Sequence, residues 1–558
     1  MRTFPVWKIA HEGDYRSVLE VLLAGRCLSE ADLEGGAQRL HAPALMRDLE
    51  RGVERLAGAI RRGEKIVVYG DYDVDGVTST AVIMDLLERA GADCDYLLPD
   101  RHVDGYGLRP PGVTRARERD ASLIVTVDNG ISAHEALEAA RAAGMEVVVV
   151  DHHRQTEDLP PAHSIINPNR RDCPYPFKGL AGVGVTFKVV QALSEAFIDA
   201  DERRAYLNSL LDLVALGTVA DIVPVVDENR ILIRQGFRVM ERGERPGLAE
   251  LRTVARASGP VTSTAVAFFL GPRLNAAGRL ASADLALRLL RARDAAEAQA
   301  LAAELEALNS RRQQLQRTGI REAETLVGTA DLAADRILVL LGEGWELGVI
   351  GLIASQLSER FYRPVAVCTD ARGDGTYVGS ARSIPGYDMV AGISCCSRYL
   401  QTYGGHAGAA GFSLEGGHFE AFRAALIDHA NQNLAAEDLV PSLAVDLVLR
   451  AEDIAAHTAA ELARLEPFGP GNEVPVFAAR DLEVQACTRV GRGGEHLKLG
   501  LRAGDCRCTA VWWRNGEAAS RLNRGDRIDA AFTLEEDTYT GNGAVQMVIR
   551  DLCAAAAS

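Results

Sequence analysis

Short apolar runs alternate with helical stretches between Ile66 and about residue 225. This pattern is typical of a parallel sheet whose strands are connected by helices. Each run is short enough to form a buried strand of such a sheet. The runs lie at 66–69, 123–127, 147–150 and 165–166. Residues 1 to about 60 predict helices and carry no obvious catalytic motif.

Beyond this region the pattern changes twice. A stretch rich in Ala, Leu, Glu, Arg and Gln, from about Asp284 to Thr325, has no glycine before Gly319 and predicts a long connecting helix. A second α/β unit begins with the apolar run 336–341. Alternating strands and Gly-rich turns between 474 and 552 predict a small all-β barrel. The predicted segments are an N-terminal helical segment at 1–60, a parallel-sheet α/β domain at 61–282, a connecting helix at 283–330, a second α/β domain at 331–440 and a barrel domain at 441–558.

Composition and charge narrow the class of protein only slightly. The 558 residues are 47% hydrophobic and 25% charged, which is typical of soluble globular proteins, and no apolar run is long enough for a membrane span. Ten cysteines without a CxxC pair indicate reduced thiols, so we expect a cytoplasmic protein. The net charge of -16 argues against nucleic-acid binding, but local fields and bound cations can outweigh the total.

Three aspartates follow the first apolar run at alternate positions: Asp71, Asp73 and Asp75. In an extended chain, alternate side chains face the same way, so we expect these carboxylates to converge beyond the carboxyl end of a strand. Such close negative charges repel one another unless cations lie between them, and oxygen ligands suit Mg²⁺ or Mn²⁺. A polar loop that caps a helix is the alternative, and it accounts for one aspartate better than for three.

Two further strands also end in candidate ligands. Asp128-Asn129-Gly130 follows the second run, Asp151-His152-His153 follows the third, and Asp221 follows a helix-like segment. A mixed set of carboxylates and imidazoles fits two Mn²⁺ ions better than Mg²⁺ alone. Two ions about 3.5–4 Å apart form the clamp used for in-line displacement at phosphorus.

Several motifs together resemble the DHH phosphoesterase superfamily. They are DYDVDG at 71–76, DNG at 128–130, DHH at 151–153, GTVAD at 217–221 and GGHAGAAG at 404–411. With GPRLNAAGR at 271–279, their order and spacing are similar to those of the bacterial exonucleases of this superfamily that degrade single strands from the 5′ end. The resemblance covers about residues 60–435 and continues more weakly into a C-terminal OB-like oligonucleotide-binding barrel. It implies a DHH domain and a DHH-associated domain joined by a long helix.

The resemblance also implies roles for the candidate ligands. The direct metal ligands would be Asp73, Asp75, Asp128, His152 and Asp221, with Asp128 bridging two ions. Asp71 stands where related pyrophosphatases have a histidine ligand, and it would either bind metal or support the site. His153 corresponds to the second histidine of the family motif, which faces the substrate or supports the ligands.

An exonuclease also has to hold a terminal phosphate, and the forked arginine side chain suits this task. The candidates near turns or glycines are Arg109, Arg273, Asn275, Arg279, Ser380 and Arg382. For any single arginine a solvated surface position is the simpler interpretation. Gly and Ala neighbours, which let a ligand approach the backbone, favour Arg279 and Arg382.

The Gly-rich motif at 404–411 allows two interpretations. Its backbone N–H groups, including those of Gly404 and Gly405, could cradle a phosphate to which His406 donates. Alternatively, it could be a tightly packed segment with a buried histidine. The resemblance favours the first. In the barrel, at most one of Trp512 and Trp513 can stack on bases, because adjacent strand residues face opposite ways.

The resemblance therefore implies an exonuclease that uses two Mn²⁺ or Mg²⁺ ions to release mononucleotides from single-stranded DNA in repair and recombination. The implied protein partners are a single-strand-binding protein and a helicase. No membrane association is implied. Two alternatives stay open. Other DHH proteins act on short oligonucleotides or cyclic dinucleotides or as phosphatases, and degenerate relatives serve as non-catalytic replication scaffolds.

Overall fold

The computed structural model describes residues 4–101, 103–155, 158–328, 332, 334–537 and 544–555. The strands are β1 Val6–Ile9, β2 Ile66–Tyr69, β3 Cys94–Leu97, β4 Leu123–Val127, β5 Glu146–Val150, β6 Ser164–Ile166, β7 Leu338–Gly342, β8 Val365–Thr369, β9 Thr376–Arg382, β10 Thr402–His406, β11 Ala409–Glu415, β12 Ser442–Val445, β13 Leu447–Val448, β14 Phe477–Val490, β15 His496–Ala503, β16 Cys506–Trp512, β17 Arg527–Glu536 and β18 Val545–Ala554.

Helices cover or connect these strands. They are α1 Val18–Gly25, α2 Glu30–Glu34, α3 Leu49–Arg62, α4 Val74–Arg89, α5 Pro110–Arg117, α6 His134–Ala142, α7 Gly182–Leu193, α8 Ala200–Ser209, α9 Leu211–Ala220, α10 Asp227–Glu241, α11 Pro246–Val254, α12 Ser263–Ala265, α13 Gly271–Leu280, α14 Asp284–Arg291, α15 Ala295–Val327, α16 Leu347–Phe361, α17 Met389–Cys395, α18 Phe419–Asn433 and α19 Ala456–Leu465. A π-helical turn, Val266–Leu270, precedes α13. Within the described ranges, no helix is long and apolar enough to cross a membrane.

The chain divides into two compact units. One is Gly36–Leu434, and the other combines the described residues up to Gly35 with those from Ala435 onwards. This division differs from the predicted N-terminal segment at 1–60, because β1 and α1 belong with the barrel whereas α3 belongs with the α/β domains.

A five-stranded parallel sheet forms the core of the first α/β domain, in the order β3-β2-β4-β5-β6. The predicted strands are confirmed, and the structure adds β3, a partly exposed edge strand without a continuous apolar run. The central strands β2 and β4 are buried along their whole length. Because β2, β4 and β5 are parallel neighbours, the residues that follow them meet at one edge of the sheet.

The predicted long connecting helix is present as α15, and the first part of the predicted segment forms a separate helix, α14. The chain turns at residues 292–294, and the Asp294 side chain accepts a hydrogen bond from the Glu297 N–H at the start of α15 (2.9 Å). The 33 residues of α15 span about 50 Å at 1.5 Å per residue.

The second α/β domain contains a mixed five-stranded sheet in the order β10-β11-β9-β8-β7. β7 and β8 are parallel, and the remaining pairs are antiparallel. α16 packs on this sheet and on α15. The predicted second α/β unit is therefore confirmed.

The other unit contains the predicted all-β barrel. Its strands follow the order β13-β14-β15-β16-β18-β17, and pairing of β14 with β17 closes the barrel. Trp512 is buried in the barrel core, whereas Trp513 is 52% exposed, as the alternation of side chains along a strand predicts. β1 pairs in parallel with β12, and α1 contributes leucines to the barrel's core.

Candidate functional site

The turn from β2 into α4 positions the first three aspartates. Asp73 is the N-cap of α4, and its carboxylate accepts a hydrogen bond from the Gly76 N–H (3.0 Å). Asp75 lies in the first turn of this helix. The expectation that an extended chain aligns all three side chains is therefore wrong, because the helix begins between them.

The Asp75 carboxylate is held by another helix. It accepts hydrogen bonds from the Gly182 and Val183 N–H groups (2.6 and 2.8 Å), at the N-terminus of α7. This is the position at which a helix binds an anion most favourably. The Gly-rich start of α7 therefore fixes a buried carboxylate of the chain itself.

At the end of β4, Asp128 adopts a left-handed backbone conformation with a φ of 63°. The Asn129 side chain donates to the carbonyl oxygens of Gly70 and Val127 and so ties the ends of β2 and β4 together. A side chain at Gly182 would place its Cβ 2.5 Å from Asp128 Oδ1, so the close approach of α7 requires glycine there.

The Asp151 carboxylate, at the end of β5, has its hydrogen-bond donors within the protein. It accepts hydrogen bonds from the N–H groups of Ile131, His152 and His153 and from His153 Nδ1. Burial alone would raise the pKa of Asp151, but His153 and these donors hold it well below its usual range. Asp151 therefore positions the histidine pair.

The His152 ring faces a cluster of carboxylates. Its Nδ1 lies 3.1 Å from the Leu180 carbonyl oxygen, and because a carbonyl only accepts, Nδ1 carries the proton. The Nε2 atom then has a free lone pair. It lies 3.2 Å from Asp128 Oδ1, 3.6 Å from Asp221 Oδ2 and 3.9 Å from Asp75 Oδ2. Asp221 reaches this point from the C-terminus of α9.

Three groups of side chains are close enough to hold metal ions, with ligand atoms within 4.8 Å of one another in each group. They are Asp71, Asp73 and Asp128; Asp75, His152 and Asp221; and Asp128, His152 and His153. Among the described residues, the buried side-chain atoms without a hydrogen-bond partner include Asp71 Oδ1, Asp128 Oδ1, His152 Nε2 and Asp221 Oδ2. Oxygen and imidazole donors with unused lone pairs fit divalent ions such as Mn²⁺ and Mg²⁺.

The electrostatics of the cluster also favour cations. Burial, followed by the nearby Asp73 carboxylate, raises the pKa of Asp75 to about 7. Burial, followed by Asp75 and Asp73, raises the pKa of Asp221 to about 9. The pKa values of Asp71 and Asp128 are also well above their usual range, first because of burial. Arg101 and His153 lower the pKa of Asp71, and the α7 N–H groups lower that of Asp75, but burial and the neighbouring carboxylates outweigh them.

His153 differs from His152. Burial lowers the pKa of His152 to about 4, with a further contribution from His153, so its ring is neutral, as a metal ligand requires. Burial also lowers the pKa of His153, but the Asp151 carboxylate more than offsets this and raises it to about 9. The Tyr106 hydroxyl, which the sequence analysis did not single out, lies 3.0 Å from His153 Nε2 and 3.2 Å from the Asp128 carbonyl oxygen.

Two of the predicted phosphate-binding arginines come together from different domains. Arg279 lies near the end of α13 and donates to the Gly348 carbonyl oxygen at the start of α16 (3.0 Å). Arg382 ends β9 and donates to Ser380 Oγ (3.0 Å). Burial, followed by the charges of Arg101, Arg312 and Arg382, lowers the pKa of Arg279 to about 10. Asn275 lies one helical turn before Arg279, on the same face of α13.

Arg101 is a site residue that the sequence analysis missed. Its guanidinium lies 3.9 Å from the centre of the Tyr72 ring. Tyr72 stands between Asp71 and Asp73 in the sequence. Burial lowers the pKa of Arg382, and the charge of Arg101 is the second cause that lowers it. Three positive charges therefore meet beside the acidic cluster. Arg101 lies just after β3. If the apolar pattern had revealed this edge strand, the residues after it would have been candidates for the site, as they were for the other strands.

Other predicted contacts have different surroundings. Arg273 forms an ion pair with Glu306 of α15 and donates to the Phe269 carbonyl oxygen, so it joins two helices. Arg109 is the N-cap residue of α5. It lines a cavity of about 1510 Å³ together with His153 and His406.

The Gly-rich motif at 404–411 is a β-hairpin formed by β10 and β11. Gly404, Gly405 and His406 are exposed, so the alternative of a packed segment with a buried histidine is wrong. Gly405 has a φ of 148°, and a Cβ there would lie 2.3 Å from the Ala409 carbonyl oxygen. His406 Nδ1 accepts a hydrogen bond from the Gly408 N–H (3.1 Å).

Three protein-family models match successive parts of the chain. Residues 65–218 match the DHH family N-terminal domain, residues 334–432 match the DHHA1 domain, and residues 445–551 match the RecJ OB domain.

Individual relatives match almost the whole chain. The single-stranded-DNA-specific exonuclease RecJ of Escherichia coli is 37% identical over 96% of this chain and 95% of its own length. RecJ of Bacillus subtilis is also 37% identical, over 91% of this chain, which spans 64% of that longer protein. The crystal structure of RecJ from Thermus thermophilus in complex with Mn²⁺ superposes with a TM-score of 0.82 at 31% identity, covering 99% of this chain and 80% of that one. The chain therefore belongs to the RecJ family of single-stranded-DNA-specific exonucleases.

Proposed function

We propose that this protein is a metal-dependent exonuclease that degrades single-stranded DNA from its 5′ end to mononucleotides, in DNA repair and recombination. The observation that carries the proposal is the position of Asp128, which is shared by two groups of candidate ligands beside three arginines. An acidic centre next to a cationic pocket suits a reaction at one phosphate while a second phosphate is held.

The ligands divide between two Mn²⁺ or Mg²⁺ ions. Asp71, Asp73 and Asp128 would hold one, and Asp75, His152 and Asp221 the other. Asp128 would join the second group as well, because its Oδ1 atom lies 3.2 Å from His152 Nε2. Such a pair supplies Lewis-acid stabilisation and lowers the pKa of the attacking water. The chain keeps the ligands in place through the α7 N–H groups at Asp75 and the Leu180 carbonyl at His152.

Two histidines outside the direct ligands face the reacting phosphate in this proposal. Asp151 holds the His153 ring and raises its pKa to about 9, so His153 is protonated at neutral pH and can donate to a phosphate oxygen. His406 lines the same cavity as His153 and approaches from the second α/β domain. A cavity lined by both domains lets each contribute one donor.

The 5′-phosphate binds Arg101, Arg279, Arg382 and Ser380, with Asn275 on the adjoining face of α13. Arginine binds phosphate oxygens in pairs and stays charged at neutral pH even with a lowered pKa. Because this pocket adjoins the metal ligands, each cleavage releases one nucleotide. Arg109, Arg273 and the backbone of Gly404 and Gly405 contact the strand further along the cleft.

We also propose a cytoplasmic location and two partners. The ten cysteines are free thiols, as a reducing compartment favours. A helicase would supply the unpaired strand, and a single-strand-binding protein would deliver it.

The test is a time course on a 5′-labelled and a 3′-labelled single strand with Mn²⁺, Mg²⁺ or EDTA. We expect the 5′ label to leave first as a mononucleotide, the 3′ label to remain on a shortening strand, and EDTA to stop both. A dinucleotide and a blunt duplex serve as comparisons. Release of the 3′ label first, or cleavage of the dinucleotide alone, would contradict the proposal, and no metal-dependent cleavage would indicate a scaffold.

A further inference from the structure

Three large apolar side chains are exposed close to the acidic cluster. Ile222 is 72% exposed, Phe268 is 71% exposed and Phe269 is 46% exposed. Single exposed apolar residues are common on protein surfaces and need no explanation. Here we call the three residues Ile222, Phe268 and Phe269 the apolar ledge, because they belong to two segments that pack together.

The ledge is continuous with the candidate metal ligands. Ile222 directly follows Asp221, whose Oδ2 atom lies 3.6 Å from His152 Nε2. Phe268 and Phe269 lie on the π-helical turn Val266–Leu270, which packs on α9, the helix whose C-cap residue is Asp221. A Cβ built at Gly271, the residue after this turn, would lie 3.8 Å from the Ala220 Cβ.

The backbone at both segments is unusual. Ile222 has a φ of 61°, in the left-handed region that a β-branched residue rarely adopts, at a position after a helix where glycine is the common choice. The π-helical turn is itself rare, and such turns are frequent at functional sites. Both distortions present apolar side chains to solvent: the π-helical turn buries Val266 and Leu270 in the core and at the same time exposes Phe268 and Phe269.

The course of the bound DNA strand can be inferred from the positions of Arg279 and Phe268 along α13 and the turn before it. The 5′-phosphate residue Arg279 and the ledge residue Phe268 are eleven positions apart along nearly continuous helix, which corresponds to about 16 Å. The ligands Asp71 and Asp73 flank Tyr72, on which Arg101 stacks, whereas Asp221 leads to the ledge. A strand held at its 5′-phosphate and cleaved at the metal ligands thus continues towards the ledge.

We propose that the apolar ledge binds nucleobases of the strand on the 3′ side of the scissile phosphate. This inference rests on the proposed exonuclease function and extends it to the part of the substrate that stays bound after each cleavage. Every base has an apolar face, so such a surface binds single strands without regard to sequence. Paired bases are stacked within a duplex and do not offer this face, so the ledge also favours single strands.

The experiment compares the Mn²⁺-loaded full-length enzyme with its Phe268→Ala variant. The measured quantity is kcat/KM for a 5′-phosphorylated 20-nucleotide strand divided by kcat/KM for a 5′-phosphorylated dinucleotide, which is too short to reach the ledge. One stacked base corresponds to roughly a five- to hundredfold effect, so we expect this ratio to fall by about tenfold in the variant. Phe268→Trp should restore it. An abasic site at the third or fourth nucleotide should lower the wild-type ratio and have little further effect in Phe268→Ala.

The matched control is Leu326→Ala, which removes a partly exposed apolar side chain of α15 outside the ledge. An unchanged ratio in Phe268→Ala overturns the inference, as does a fall that Trp fails to restore or that Leu326→Ala reproduces. Failure of the exonuclease proposal looks different, because the wild-type enzyme would then not shorten the long strand from its 5′ end.

Discussion

The acidic edge of the parallel sheet and the arginine pocket beside it are built in opposite ways. The acidic edge collects carboxylates from β2, β4 and α9 in a buried setting that raises their pKa values. The arginine pocket collects guanidinium groups from the β3 loop, α13 and β9. Burial lowers the pKa values of Arg279 and Arg382, and the charge of Arg101 lowers both further. In both regions like charges gather without neutralising one another, which supports the proposal that each binds a partner of opposite charge from outside the chain.

This contrast explains how a chain with a net charge of -16 can bind DNA. Part of the negative charge lies in a metal site, where bound cations would neutralise it. Three positive charges, those of Arg101, Arg279 and Arg382, lie close together at one pocket. Local fields therefore matter more than the total charge for where a phosphate binds.

The largest expected effect is at the acidic edge. Asp128→Asn removes the carboxylate shared by two ligand groups, and we expect kcat to fall at least a thousandfold, equivalent to roughly 4 kcal/mol. The metal-free variant should be folded and at least as stable as the wild type, because a buried carboxylate with a raised pKa is removed. Retained activity in a folded variant would refute the assigned role.

Asp151→Asn sharpens the comparison within the acidic edge. Asp151 accepts hydrogen bonds from three backbone N–H groups and a histidine, so its loss should lower the free energy of unfolding by about 2–3 kcal/mol. Urea denaturation of the metal-free protein measures this. If Asp151→Asn and Asp128→Asn changed stability alike, the distinction between a positioning and a ligand carboxylate would be wrong.

Arg382→Ala tests the opposite region. Loss of a charged hydrogen bond to phosphate should raise KM for 5′-phosphorylated strands about 10- to 100-fold, with a smaller change for 5′-hydroxyl strands. Arg101→Ala should behave in the same way. Arg360→Ala, at an exposed ion pair with Glu324, is the control. Equal losses on both kinds of 5′ end would contradict a role for this pocket in binding the 5′-phosphate.

The smallest effect concerns pH and metal removal. Asp221 and His153 have folded-state pKa values of about 9, above their unfolded values, so the folded metal-free protein binds more protons than the unfolded chain between pH 7 and 9. Its stability should therefore fall as pH rises through this window. We expect the melting temperature in EDTA to drop by a few degrees from pH 7 to pH 9, and Mn²⁺ to raise it more at pH 9. A rise in EDTA over this range would contradict the raised pKa values.

Much of the candidate site could be predicted because strand order alone brings it together. Asp128 and Asp151 follow parallel neighbours, and the ends of such strands meet whatever the intervening loops do. The conformation of Asp75 could not be predicted in this way, because the tendency of Asp73 to cap a helix overrides the extended alternation. The sequence pattern also did not separate the candidate ligand Asp128 from the hydrogen-bonded Asp151, since this depends on which N–H groups surround each carboxylate.

Other features depend on contacts between distant parts of the chain. β3 is a partly exposed edge strand, so it lacks the apolar run that marked its neighbours, and Arg101 was missed with it. β1 is a short strand whose partner, β12, lies more than 430 residues away. The hairpin at 404–411 could not be predicted, because its glycines conceal the alternation of a strand.

The most direct test of the paired ligand groups around Asp128 is anomalous diffraction at the manganese absorption edge from crystals grown with Mn²⁺. We predict two peaks about 3.5–4 Å apart, both within coordination distance of the Asp128 carboxylate. A single peak, or peaks that do not contact Asp128, would contradict the account.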